Sequence, residues 1–191
     1  MRGLLAATVL VMACGGGAAQ PSPTPLRTAP ATVARTTAAP VACVTAAQTG
    51  PATKATIELV KGGAIVVQLR PDKAPGTVAN FAKNSRECKY DGLTFHRVEP
   101  NFVIQGGDPL GNGTGGGNQP TELSDLPFTK GALGIARAGD IKVSNLMQFY
   151  VCIGSCRHLD NQYTNFGQVT AGQELADAVV RGDRIKTIRI E

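Results

Sequence analysis

The run Phe95-His96-Arg97-Val98-Glu99-Pro100-Asn101-Phe102-Val103-Ile104-Gln105-Gly106-Gly107-Asp108-Pro109 constrains this chain more than any other stretch. Phe95 and Val98, then Phe102-Val103-Ile104, are apolar or β-branched and read as two strands. Glu99-Pro100-Asn101 between them reads as a turn. Into this half-apolar surface the chain sets one permanently charged guanidinium, Arg97, and one neutral amide, Gln105. The loop Gly111-Asn112-Gly113-Thr114-Gly115-Gly116-Gly117 follows, with few side chains to hold another backbone away. One reading is a hairpin with a solvated arginine and a slack loop. The other is a shallow apolar groove with one fixed donor, suited to a peptide.

The flanking pattern is one of short strands. Thr56-Ile57-Glu58-Leu59-Val60 and Ala64-Ile65-Val66-Val67-Gln68-Leu69 enclose Lys61-Gly62-Gly63, which predicts a β-hairpin. Ala74-Pro75-Gly76-Thr77 opens a helix, with Pro75 where a missing N–H costs nothing. Val78, Phe81 and Ala82 form its apolar stripe. Tyr90-Asp91-Gly92-Leu93 turns the chain into the central strand, and Glu122 to Phe128 is a connection. Further strands are predicted over 132–136, 149–153, 166–169 and 185–190. A helix within 172–180 places Leu175, Ala178 and Val179 on one face. Many short strands with two helices suit a closed antiparallel barrel, because closure removes exposed sheet edges.

The order of the motifs decides between the two readings of the central run. Phe95-His96-Arg97-Val98, then Phe102 to Pro109, then the glycine loop, resembles the signature of the cyclophilin-type peptidyl-prolyl isomerases. Gly131-Ala132-Leu133-Gly134-Ile135-Ala136-Arg137-Ala138, Gln148-Phe149-Tyr150 and Phe166-Gly167-Gln168-Val169 continue it in the same order. The resemblance spans residues 53–191. It implies a mainly β fold, a closed eight-stranded antiparallel barrel capped by two α-helices. It also implies an enzyme that rotates X-Pro bonds without cofactor, metal or covalent intermediate. The partners it implies are proline-containing peptides and unfolded exported proteins, engaged by a monomer.

The resemblance carries roles to single positions. Arg97 matches the catalytic arginine, which engages the proline carbonyl and nitrogen, with Phe102 and Gln105 beside it. Phe102, Val103, Tyr150 and Leu159 match the proline pocket; many relatives have methionine at Val103 and phenylalanine at Tyr150. Gln105 and Gln148 match groups that hold the substrate backbone and orient the arginine. Ala136, Arg137 and Ala138 match the segment whose backbone pairs with the peptide. His96 belongs to the strand of Arg97, and Tyr163 borders the pocket where histidine is common. Gly113, Thr114 and Gly115 match the rim of a neighbouring pocket. His158 stands where cyclosporin-sensitive relatives have tryptophan; a smaller polar ring loses aromatic area and the indole donor, which puts cyclosporin binding in doubt. The stretch 139–147 also departs, with Asp140-Ile141-Lys142-Val143 replacing a more polar loop and Met147 a common serine. Taken without the resemblance, Phe102, Val103 and Leu159 read as plain core, and Gln105 and Gln148 as satisfied surface amides.

Charge argues against nucleic acid as a partner. The net charge is +5, but Arg2, Arg27 and Arg35 lie in the first 50 residues, which hold no acid, so the remainder is +2. A nearly balanced domain without a basic cluster, and without tryptophan, lacks the footprint of a nucleic-acid binder. Leu4 to Met12 is an apolar run too short to span a bilayer and suits a signal-peptide core over residues 1–13. It ends in Val11-Met12-Ala13-Cys14, which resembles a bacterial lipobox and implies lipid on Cys14 and a protein anchored to a membrane, on its periplasmic face or the cell surface. Ordinary cleavage after Ala19 is the alternative. Residues 14–52 are rich in Ala, Pro, Thr and Gly, cannot bury enough surface to offset ordering entropy, and read as a tether before the domain at 53–191.

Beyond Cys14 stand Cys43, Cys88, Cys152 and Cys156. Cys152-x3-Cys156-x-His158 is too loose for a metal site and has no further ligand pair. A structural disulfide with partners unassigned is the favoured reading; two buried free thiols and two mobile ones is the other. Rival functions are a non-catalytic proline-peptide module on the same groove, or a lipid-anchored interaction platform. Arg97, Phe102 and Gln105 together argue against the first, since mere binding needs no charged donor.

Overall fold

The computed structural model describes residues 51–191. The expected signal peptide, Cys14, the tether as far as residue 50, and Cys43 lie outside the described residues. Strands β1 (Lys54–Leu59) and β2 (Ala64–Leu69) form the predicted hairpin. Gly62 and Gly63 take φ of 98° and 81°, a left-handed pair that the tight reversal requires. Helix α1 (Pro75–Arg86) begins on Pro75 and buries Val78, Phe81 and Ala82. Its N-cap residue, Ala74, has no side chain that can satisfy the first-turn N–H groups. Glu122 does so from a distant segment, accepting from Gly76 N–H at 2.9 Å and Thr77 N–H at 2.7 Å.

Strands β3 (Arg97–Glu99) and β4 (Val103–Gly106) flank the predicted turn, where Asn101 takes φ of 60° and Phe102 N–H donates to Glu99 O at 3.0 Å. There follow β5 (Asn118–Pro120), β6 (Ala132–Arg137), β7 (Val143–Cys152), a 3-10 turn over Arg157–Leu159, β8 (Asn165–Ala171), helix α2 (Gln173–Asp177) and β9 (Ile185–Ile190). β7 is twice the length of the predicted strand, because its first half pairs with β5 and its second with β4. α2 is a single short turn entered through Gly172 at φ 78°. It buries Ala176, followed by Val179; Ala178, predicted to share that face, is exposed.

All pairings are antiparallel, in the order β3-β4-β7-β6-β8-β2-β1-β9, with β5 also on β7. The sheet curls but does not close. The expected closed eight-stranded barrel is corrected to an open half-barrel of nine strands among the described residues. Its end strands, β3 and β9, share no ladder. An isolated bridge, Thr94 with Arg184, joins the ends, flanked by Phe95 N–H to Asp183 O and Ile185 N–H to Leu93 O, both 2.9 Å. β3 is only three residues long before the Pro100 turn, so few backbone groups can line up across this seam.

The central strands are buried on both faces, and alternation sorts their side chains. Met147, Phe149 and Val151 of β7 join Ile104, Leu133 and Ile135 in the main core, beneath α1. There Phe81 packs edge-on against Phe149 and Phe166, with ring centroids 5.5 and 5.3 Å apart. Tyr150 and Cys152 of the same strand join Val103, Ala132, Phe128, Cys156 and Leu159 in a second cluster on the opposite face. Phe102, Ala136 and Tyr163 pack against that cluster from the surface. Cys152 and Cys156 are free and buried within it, whereas Cys88 is disulfide-bonded.

Candidate active site

The second cluster leaves a concavity at its surface. Arg97, Phe102, Val103, Gln105, Ala136, Arg137, Tyr150, Leu159 and Tyr163 line a cavity of about 260 Å³. Each arrives by a local rule. Arg97 and Gln105 sit directly opposite in the β3–β4 ladder, and Gln105 opposite Tyr150 in β4–β7. A bulge in β6 between Ile135 and Arg137 brings both Ala136 and Arg137 to the wall. The 3-10 turn supplies Leu159. Apolar groups line most of the wall, and Arg97 stands at one end as the donor.

Arg97 is only half-buried, yet it is held on three sides. Its Nη1 donates to Gln105 Oε1 at 3.3 Å, its Nε lies 3.6 Å from Glu99 Oε1, and its guanidinium stands 5.7 Å over the Phe102 ring. Gln105 Nε2 in turn donates to Gln148 Oε1 at 2.9 Å, and Gln148 Nε2 donates to Gly113 O and Gly115 O at 3.1 and 2.8 Å. Arg137 is fixed at the far wall: Nε donates to Gln162 O at 2.9 Å, Nη1 to Ala138 O at 2.9 Å, and the guanidinium lies 4.4 Å from the Tyr163 ring centre. Burial pushes the Tyr150 phenol well above its ordinary range, so it stays neutral. Its hydroxyl has no hydrogen-bond partner among the described residues.

A second cavity, of about 520 Å³, adjoins the first across Gln105, Ala136 and Arg137. Gly113, Thr114, Ala138, Asp140 and Gln148 line it. A third, of about 420 Å³, opens on the other side of Arg97. His96 lines this one and not the first, and both its ring nitrogens lack partners among the described residues. Burial lowers its pKa, partly offset by the nearby Asp108 charge. His158, expected at the pocket, lines none of the three cavities; its ring packs on Phe102 at 5.0 Å. Of the residues expected to meet substrate, nine therefore share one concavity. Gln148, Gly113, Thr114 and Ala138 border its neighbour, while His96 and His158 sit apart.

A family model described as cyclophilin type peptidyl-prolyl cis-trans isomerase/CLD matches residues 54–191. The chain belongs to the cyclophilin family. This cyclophilin is an isomerase of the peptidyl-prolyl cis-trans type. It is 45% identical to peptidyl-prolyl cis-trans isomerase B of Bacillus subtilis over 137 residues, 70% of this chain and 94% of the relative. It is 44% identical to a Synechococcus elongatus peptidyl-prolyl cis-trans isomerase over 144 residues, 72% of this chain and 96% of that one. Among solved structures it resembles a cyclophilin-type isomerase of Cryptosporidium parvum, with TM-score 0.67 and 26% identity, over 72% of this chain and 98% of that one. That protein was crystallised in the presence of the dipeptide Ala-Pro.

Two further polar residues order this cyclophilin's site, one of them inside the signature run but with no role that the motif assigns. Asp108 is 1% exposed, and four backbone N–H groups donate to it, that of Leu110 and three of the glycine loop. Asn145 Oδ1 accepts from the N–H groups of Met147 and Gln148 at 2.8 and 2.7 Å, which sets the backbone beneath Gln148. An aspartate just before a glycine-rich loop is a turn-forming signal that could have marked the first. The second has no such signal, because its partners come from the tertiary fold.

Proposed function

We propose that the first cavity is the isomerase active site, with Arg97, Gln105 and Phe102 in the catalytic roles. An X-Pro bond turns slowly because amide resonance opposes the twist, with a barrier of ~20 kcal/mol. No nucleophile is needed to lower it. The prolyl ring seats among Phe102, Val103, Tyr150 and Leu159, while the amide rotates at the mouth. As the prolyl nitrogen becomes pyramidal its lone pair leaves amide resonance and can accept, and Arg97 donates to it, favouring the twisted state over the planar one. Gln105 and Gln148 hold the guanidinium and the substrate backbone, and Ala136, Arg137 and Ala138 supply the facing peptide edge. Thr114 and Gly113 border the space for a residue before the proline. His96 acts from outside the ring pocket, and Tyr163 closes its wall. The observation that carries this reading is the Arg97 guanidinium held by Gln105 at the rim of a largely apolar cavity roomy enough for a prolyl ring.

The substrates are proline-containing peptides and unfolded exported proteins, whose folding the enzyme assists as a monomer. Lipid on Cys14 anchors it to a bacterial membrane, with residues 14–52 as the tether. Cyclosporin binds weakly, because His158 offers no indole. The test is cis-to-trans isomerisation of an Ala-X-Pro-Phe peptide at low temperature, where the uncatalysed rate is slow. The full chain accelerates it, and Arg97→Ala lowers kcat/KM by about a hundredfold. Full activity in a folded Arg97→Ala variant would sink the assignment. For the anchor, mass spectrometry of the mature N-terminus from membranes finds acyl chains on Cys14, and their absence refutes it.

A further inference from the structure

We propose that Asp108 is a positioning residue for Arg97, acting through the glycine loop and the two site glutamines. The proposal rests on the isomerase reading of the cavity. It starts from a charge in an expensive place. Asp108 is 1% exposed, and an unpaired buried carboxylate is strongly disfavoured. The fold compensates with four backbone donors. Oδ1 accepts from Leu110 N–H at 2.9 Å and Gly115 N–H at 3.1 Å; Oδ2 accepts from Asn112 N–H at 2.9 Å and Gly113 N–H at 2.5 Å. Burial raises the carboxyl's pKa, but the backbone donors outweigh it and leave the group below its ordinary value. The loop is thus wrapped around an anion. Gly115 has to be glycine for this, since a Cβ there would collide with Asp108 Oδ1.

The consequence lies on the other side of the loop. With N–H groups turned to Asp108, two of the loop's carbonyls, Gly113 O and Gly115 O, face Gln148. They can be met only by donors, so Gln148 must present its NH2 group to them. Its oxygen is then left for Gln105, which must present its own NH2 and keep its oxygen for Arg97. Each amide has one donor end and one acceptor end, so the direction of the whole chain is set where it begins. A reversed Gln148 would reverse Gln105 and put an NH2 group against the guanidinium. Asn145 reinforces the same polarity, because its Nδ2 donates to Gly115 O at 2.9 Å. Asp108 lines neither the cavity that holds the prolyl ring nor its neighbour, so it acts on the reaction through the residues it orders, with Arg97 at the end of the chain.

A double-mutant cycle on the full chain tests this, using the peptide isomerisation assay. Asp108→Asn keeps the shape but replaces one acceptor oxygen with a donor facing N–H groups. It is expected to lower kcat/KM by about tenfold through misplacement of Arg97, with the loss in kcat rather than KM. In an Arg97→Lys background, where the fork that reads Gln105 is gone, the same change should cost under about twofold. Gln148→Met cuts the link without touching Asp108 or the loop's anion. It should reproduce the loss, and Asp108→Asn should then add nothing to it. Equal losses in the wild-type and Arg97→Lys backgrounds would overturn the proposal, as would wild-type activity in Gln148→Met. The latter holds even if Asp108→Asn fails to fold. An inactive wild type would instead overturn the isomerase assignment, so the two failures are told apart.

Discussion

The Tyr150 ring packs against Gly134, its neighbour in the β6–β7 ladder, so closely that a Cβ on Gly134 would overlap the ring carbons and the hydroxyl. The glycine is what lets the tyrosine lie back and leave the cavity open above it. Gly134→Ala pushes the ring forward into the space for the prolyl group. Peptide KM should rise by about tenfold or more, while kcat for peptide already bound falls less. Isomerisation kinetics at several peptide concentrations check this.

Tyr150→Phe should stabilise the fold. The hydroxyl is buried without a partner among the described residues, and such a group costs about 1–3 kcal/mol to desolvate. Removing it should raise the midpoint of urea unfolding and keep most of the isomerase activity. A clear destabilisation would show that the hydroxyl has a partner in solution.

Glu122 is expected to behave as a helix cap supplied from far along the chain. Its carboxylate accepts from the Gly76 and Thr77 N–H groups at the start of α1, and its own N–H donates to Thr164 Oγ1 at 3.0 Å. Glu122→Ala should cost about 1–2 kcal/mol in urea unfolding, the size of a lost cap. Activity per folded molecule should be unchanged, since Glu122 lines none of the three cavities.

His96 predicts how stability depends on pH. Burial holds its imidazole below the ordinary value near 6.5, and the charges of Arg181 and Arg97 act in the same direction, against the attraction of Asp108. As pH falls, the unfolded chain therefore takes up the proton before the folded one, and stability drops. The loss begins below about pH 6.5 and levels off below the folded pKa. Asp108 contributes at lower pH: its folded pKa is depressed, so its share is lost only as pH falls through and below the usual carboxylate range. Urea midpoints between neutral and mildly acidic pH should fall in the wild type. They should flatten over the histidine window in His96→Gln.

Much of this molecule is written locally. Gly62 and Gly63 between two β-branched runs can hardly be anything but a reversal, and Pro75 ahead of Val78, Phe81 and Ala82 starts a helix with one apolar face. The Glu99-Pro100-Asn101 turn likewise folds β3 onto β4, and that register alone places Gln105 opposite Arg97. The ordered motifs carried the family, and with it the residues that meet in one cavity. Other features depend on partners far apart in sequence. The half-barrel stays open because the seam between β3 and β9 aligns only a few groups. Ala176 rather than Ala178 is buried because α2 ends at Asp177, which leaves Ala178 as the residue past its end. Composition names Gln105 and Gln148 as amides but cannot say which end of each points where. That direction is set by loop carbonyls, and those are set by an aspartate buried among backbone donors, so it exists only once the chain has folded.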